Sequence, residues 1–304
     1  MTKMLSQRAF ERAATVITNN GRALDKVLYE HIFASPRPTR VLQELKMFQN
    51  ADGGFGQALE PDFRLPSSSP LATSVALQHL ETFDSYDEDM IGNVINYLES
   101  SFNEDRHGWL AVPVEVNQYP HTPWWEVDTD TNMCAIDSDW GNPSAELIGY
   151  LVKYRPLVKK LPVDQLVTHA IDTLLNKKVE SFHELYCYLR LYDLLPSEKN
   201  INMRKKLEET VASIVCRDES KWGREYVAMP LDVVKDPSQM FGLDRNIVEA
   251  NLDHLIAKLD EEGCFLPSWG KSFYSGDFER AYDEWTAILT LQALLKLKNF
   301  ERLS

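Results

Sequence analysis

Apolar residues recur along this chain at helical spacing. In ALDKVLYEHIF, Leu24, Val27, Leu28, His31 and Ile32 fall at i, i+3, i+4, i+7 and i+8, which gathers them on one face. VDQLVTHAIDTLL repeats the pattern with Val163, Leu166, Val167, Ala170, Ile171 and Leu174, and IVEANLDHLIAKL does so with Val248, Leu252, Leu255, Ile256 and Leu259. Two other segments, PLATSVALQHLETF (70–83) and YDEWTAILTLQALLKL (282–297), are apolar nearly all round. A one-sided helix belongs on an outer layer, and a helix that is apolar on every side belongs inside. Strand-like alternation is sparse, so the pattern predicts an all-α protein.

The breaks between helices resemble one another. VLQELKMFQNADGGFG ends in Gly-Gly-Phe-Gly, IGNVINYLESSFNEDRHGWL in His-Gly-Trp-Leu, LEETVASIVCRDESKWGREY in Trp-Gly and its sequel, and LDHLIAKLDEEGCFL in Gly-Cys-Phe-Leu. Each is a one-sided helix, an acidic turn, a glycine and an aromatic, a degenerate internal repeat marked by Gly54, Gly108, Gly223 and Gly263. Glycine is expected to end each outer helix, with Gly54 in a left-handed or otherwise glycine-only conformation. The aromatic is expected to fold back over the turn. The following helices open with proline or small polar residues, as in SSSPLA and GNPSAE. With the pair at 6–34 the count is about six helix hairpins, the inner member near 232–243 being poorly marked. Hairpins of this kind bury their apolar faces only by stacking on neighbours. Six alternating outer and inner helices close most naturally into an α/α toroid, expected here as one domain over 1–304.

The turn from Gln49 to Gly56 reads Q-x-x-D-G-G-F-G and resembles the repeat turn of the squalene-cyclase and protein-prenyltransferase type of α/α toroid. The resemblance is strong in this repeat and weaker in the other three. It implies that the turn ties an outer helix to the next inner one and that Gln49 and Phe55 are structural. It also implies a central cavity, with site residues just before the inner helices and on the long loops around the cavity mouth.

Composition narrows the partners. With 46 acidic against 32 basic side chains the formal charge is −14 and the isoelectric point near 5.0. That balance argues against a broad phosphate-binding surface, so nucleic acid is not an expected partner. No apolar run approaches the ~18–20 residues of a membrane span, and the start, MTKMLSQRAFERAATVI, is interrupted by charge rather than built as a secretory segment. Cys134, Cys187, Cys216 and Cys264 are scattered, which suits reduced thiols in a cytoplasmic protein.

Three places carry candidate chemistry. In LEPDFRLP, Glu60, Asp62 and Arg64 alternate, so an extended segment points all three to one side. Paired carboxylates can act as acid and base or stabilise a cation; a salt-bridged loop is the alternative. The segment from Val112 to Asn142 has no helical periodicity, and a loop that long inside a compact domain is usually functional or disordered. Its aromatic content (Tyr119, His121, Trp124, Trp125, Trp140) argues for order, with tryptophan walls for an isoprenoid or a sugar, and with Asp130 and Asp139 as further acids. The same loop could simply plug the toroid mouth. Third, Glu284 and Trp285 open the last inner helix after LPSWGKSFYSGD, which supplies Trp269. A carboxylate among apolar neighbours must be paired or carry a raised pKa, so Glu284 is a candidate acid or a buried structural acceptor.

Motif tests separate the resemblance from its known chemistries. Protonating terpenoid cyclases carry D-x-D-D; DTDT (128–131) and DSDW (137–140) keep D-x-D and lose the last aspartate. Ionising cyclases need D-D-x-x-D, and no two aspartates are adjacent here; no D-x-C marks a prenyltransferase zinc site. DTDTNMCAIDSD matches a calcium loop at positions 1, 3, 5 and 12, but Met133 replaces the turn glycine and no helix precedes it. His183 and Cys187 in HELYC sit one helical turn apart, and two ligands are too few for zinc. No G-x-S-x-G, P-loop or G-x-G-x-x-G occurs. The expectation is therefore a cyclase- or prenyltransferase-like protein without a metal or cofactor. It would hold a small, apolar, isoprenoid-like molecule, with Glu60, Asp62, Asp130, Asp139 and Glu284 as acids and Arg64, His121, Trp124, Trp125, Trp269 and Trp285 shaping the cavity. The alternatives are a carbohydrate-active α/α enzyme and a non-catalytic ligand-binding scaffold.

Overall fold

The computed structural model describes residues 2–81 and 87–304, and among these the secondary structure is helical throughout, without a β-strand. The helices are α1 (Gln7–Asn20), α2 (Ala23–Phe33), α3 (Pro38–Lys46), α4 (Pro70–Glu81), α5 (Glu88–Ser100), α6 (Gly141–Lys153), α7 (Val163–Asn176), α8 (Phe182–Leu194), α9 (Ser197–Ile214), α10 (Pro230–Val233), α11 (Arg245–Glu262) and α12 (Glu279–Asn299). None is long and apolar enough to cross a membrane. The chain divides into two compact units: Met1–Glu44 with Val211–Ser304, and Leu45–Thr210.

The expected contrast in burial holds for α4 and less for α12, the other segment expected to be enclosed, on which nine of 21 residues are buried. On α1 only Ala9, Ala13 and Ile17 are buried, one residue per turn on a single stripe. On α6 all but the last two residues, from Gly141 to Leu151, are buried, and on α4 eight of the 12 are. In the first unit α1 packs along α12, α11 and α2, and the chain ends are tied together by the Leu5 N–H to Arg302 carbonyl bond at 2.8 Å. In the second unit α6 packs between α4, α7 and α8. Local chemistry starts and stops the helices: Ser6 Oγ accepts from the Ala9 amide, Asp87 Oδ1 accepts from Met90, and Gly263 at φ 79° ends α11. At the poorly marked 232–243 stretch the helix is a single turn, α10, that ends at Val233.

The Gln49–Gly56 turn is built from side chains bonding to backbone. Gln49 Nε2 donates to the Gly53 carbonyl at 3.0 Å and reaches Met90 O at 3.2 Å on α5. Asp52 Oδ1 accepts from the Gly54 amide and from Ser68 Oγ, while Asn50 Nδ2 donates to Pro66 O and Ser68 Oγ. Two expectations need correcting: of the four glycines only Gly263 ends a helix, since α3, α5 and α9 end at Lys46, Ser100 and Ile214, well before Gly54, Gly108 and Gly223, and Gly54 is not left-handed. The left-handed residue is its neighbour Gly53, at φ 92°. Gly54 is required for space instead: a Cβ there would lie 2.7 Å from Ser68 Cβ and from the Tyr97 ring.

Beyond each of three such turns the aromatic residue makes the same bond. Phe55 N–H donates to Thr73 Oγ1 on α4, Trp109 N–H to Ser144 Oγ on α6, and Phe265 N–H to Thr290 Oγ1 on α12, each at 3.0 Å. The repeat is thus one of geometry as well as sequence.

The segment 112–142 is ordered by 3-10 turns at Val114–Gln118, Pro123–Trp125 and Ala135–Ser138 and by side-chain braces. Asn117 exchanges two bonds with the Val127 backbone, and buried Asp137 accepts from the amides of Ala111 and Cys134.

Candidate functional site

In the second unit, Gln57 and Ala58 both adopt positive φ (55° and 60°), an unfavourable conformation for residues with a Cβ. That kink turns the following LEPDFRL segment back, where it is strapped to the 119–125 stretch. Thr122 N–H donates to Asp62 O at 2.9 Å, Arg64 N–H to Pro120 O at 2.8 Å, and Phe63 pairs with His121. Glu60 and Asp62 are consequently both buried, with the Asp62 amide 3.3 Å from Glu60 Oε1. Trp125 is buried edge-on against Phe63, ring centroids 5.3 Å apart, and Trp124 and Arg64 are half-buried. His121 is half-buried, with Nδ1 2.7 Å from the Tyr119 carbonyl. The structure thus brings Glu60, Asp62, Arg64, His121, Trp124 and Trp125 into one neighbourhood.

Asp130 stands apart from a buried site. It is exposed in a turn organised by Asp128, whose carboxylate accepts from the Asp130 and Thr131 amides and the Thr131 hydroxyl. Those bonds, the Thr131 amide first, hold the Asp128 carboxyl below its usual range. The calcium-like segment is thereby a self-contained turn, and among the described residues no group of three His, Cys, Asp or Glu side chains converges on a point. Asp139 is half-buried at the start of α6.

The first unit carries the other candidates. Glu284 on α12 is 2% exposed, and its Oε1 lies 3.0 Å from the Arg280 guanidinium one turn earlier, which is itself mostly in solvent. Trp285 meets Trp269 nearly perpendicularly at 5.2 Å, and Trp269 meets Tyr226 at 5.4 Å. The Trp269 indole N–H donates to the Tyr274 hydroxyl at 2.6 Å. Tyr274 continues the cluster to Phe278 and Tyr282, and the Lys271 ammonium lies over the Tyr282 ring. Tyr226, Leu266 and Phe273 are exposed large apolar residues of this unit.

Sequence reasoning missed a third set, between α6 and α8 in the second unit. Glu184 is fully buried; its Oε1 accepts the Gly141 N–H at 2.9 Å and so caps α6 from a neighbouring helix. Burial raises its pKa, opposed by that hydrogen bond and by Lys177 at 3.8 Å. Gly141 leaves the necessary room, since a Cβ there would sit 2.7 Å from the Tyr188 ring and 2.9 Å from Glu184 Cγ. Nearby, buried Glu146 accepts from Gln78 Nε2 and pairs with Arg190 at 3.0 Å. The available signal was Ser181-Phe-His-Glu184, a helix-start pattern. It located the helix, but nothing local shows that Glu184 serves another helix. Cys187 is buried with its Sγ 3.7 Å from Asn142 Oδ1, and burial pushes its thiol pKa up, which makes it a core thiol rather than a nucleophile.

No family model matches the chain, and comparison with curated proteins and with solved structures yields no match.

Proposed function

We propose that the chain is an α/α toroid resembling the squalene-cyclase and prenyltransferase type and that it holds an isoprenoid or similarly apolar small molecule against the aromatic cluster of its first unit. The observation that carries this reading is the contiguous run of Tyr226, Trp269, Trp285, Tyr274, Phe278 and Tyr282, with the buried Glu284 immediately before Trp285 on α12. Aromatic faces offer apolar area and stabilise positive charge, and a buried carboxylate can face a cation. The toroid itself is supported by the recurring aromatic-amide to hydroxyl bond at three outer-to-inner turns. On this reading the protein is a cyclase- or transferase-like enzyme of the cytoplasm that needs no cofactor.

A carbohydrate reading has its own observation, the two buried acids Glu60 and Asp62 in one strapped loop with Trp124 half-buried close by. Hydrolysis of a glycoside uses two carboxylates, and tryptophan faces suit sugar rings. One experiment separates the two: titration of intrinsic tryptophan fluorescence with farnesol, farnesyl diphosphate and a maltooligosaccharide. Saturable quenching by either isoprenoid, lost in Trp285→Ala, supports the first reading; response to the sugar alone replaces it with the second.

A further inference from the structure

Two histidines far apart in sequence meet in the second unit. His107 lies in the turn that follows α5, and His169 lies on α7; their rings are tilted by 30° with centroids 5.3 Å apart. The Trp140 ring, just before α6, meets His169 nearly perpendicularly at 4.9 Å, and its indole N–H donates to the Arg106 carbonyl at 3.0 Å. The turn is closed by the Asn103–Gly108 backbone pair and by Asn103 Oδ1, which accepts the Arg106 amide at 2.8 Å. His107 takes φ 53° there, a left-handed conformation that a residue with a Cβ seldom adopts. His107 is exposed and His169 half-buried.

We propose that His107 and His169 form a pH-sensitive clasp, closed at neutral pH, that holds the 103–108 turn against α7 and opens in acid, drawing His169 away from Trp140. Neutral imidazoles pack as flat rings, and histidine is the side chain that gains charge just below neutrality. A second proton on the pair would set two cations with ring centres 5.3 Å apart, where like charges repel even in water. Burial and then His107 lower the pKa of His169 from its ordinary 6.5, opposed by Asp172 one turn further along α7. The other charged groups of the adjoining elements are engaged elsewhere or in solvent. Arg106 donates to the Asp137 carbonyl at 2.6 Å, and Lys177 to the Ser138 carbonyl at 3.3 Å. Asp139 acts on Glu184, while Glu104 and Asp105 are exposed. Because the folded pKa of His169 is the lower one, the unfolded chain takes the proton first as pH falls. The contact therefore stabilises fully above about pH 6.5 and loses that contribution as pH falls through the folded pKa. The clasp lies within the second unit and does not rest on the isoprenoid reading.

NMR on the full chain tests the clasp. The ring Cε1–H signals of His107 and His169, assigned by their loss in His107→Gln and His169→Gln, are followed from pH 8 to 5. His169 should titrate below an ordinary histidine and move up in His107→Gln. Between pH 7 and 5 the protection of the Arg106, His107 and Gly108 amides against hydrogen exchange, corrected for the intrinsic rate, should fall about threefold or more in the wild type. His107→Phe keeps a flat ring that takes no proton, so its turn should stay equally protected throughout. The glutamine variants decide the coupling if the phenylalanine variant fails to fold. A His169 midpoint that is the same with and without His107 overturns the pair. Wild-type protection that stays constant from pH 7 to 5 overturns the opening, as does a phenylalanine variant that loses protection as the wild type does.

Discussion

The backbone amide of Phe55 donates to Thr73 Oγ1 at 3.0 Å, and that hydroxyl in turn donates a hydrogen bond to the Ser69 carbonyl at 2.8 Å. Thr290 does the same for Phe265, donating in turn to the Thr286 carbonyl. One side chain therefore satisfies a buried turn amide that has no helix to bond to, and anchors the aromatic residue against the following helix. Thr73→Val keeps the shape and strands the Phe55 N–H. We expect a loss of about 1–3 kcal/mol by urea denaturation, and a similar loss for Thr290→Val. Wild-type stability in both variants would remove the hydroxyls from the description of the repeat.

Gly53 should tolerate substitution worse than any other residue of its turn. At φ 92° an added Cβ meets Asn93 O at 2.2 Å, and backbone cannot retreat as a side chain tip can. Strain and overpacking together predict a cost of about 2–4 kcal/mol for Gly53→Ala. Gly92, inside α5 with open space at its Cβ position, is the control. There alanine should add about 0.5–1 kcal/mol of stability. The same urea midpoints decide both.

Glu184 sets a pH dependence. Burial raises its pKa above the ordinary 4.5, so the folded chain holds this proton more tightly than the unfolded one. Its contribution to stability is then greatest below about pH 4.5 and declines as pH rises through the folded pKa. Glu184→Gln keeps an acceptor for the Gly141 N–H and cannot ionise. The melting-temperature difference, variant minus wild type, should therefore grow more positive between pH 4.5 and 8. A difference that stays constant across that range means that Glu184 is not a raised carboxyl.

Glu284 tests the proposed function at its centre. If it is the acid of the aromatic site, Glu284→Gln should abolish turnover of an isoprenoid while tryptophan quenching by farnesol changes less than threefold. Trp285→Ala should instead cost binding, by about tenfold or more for a lost aromatic contact of 1.4 kcal/mol. A glutamine variant that retains wild-type turnover from pH 5 to 8 makes Glu284 a structural partner of Arg280.

Much of the fold was legible locally. The 3.6-residue spacing of Leu24, Val27 and Leu28, and the all-round apolarity of 70–81, gave helix type because that pattern depends on residues within two turns of one another. The Gly-aromatic turns were equally visible, since a turn must be closed by residues near it in sequence. Tertiary structure decided which glycine takes the left-handed conformation, for Gly53 and Gly54 are identical as letters and differ only in whether Asn93 or Ser68 and Tyr97 stand over them. It also decided the buried chemistry. Glu184 reads as an ordinary first-turn acid until Gly141, more than forty residues away, presents its amide. Local patterns carry backbone preference and apolar periodicity, whereas desolvation and hydrogen-bond partnership are properties of what the rest of the chain brings alongside.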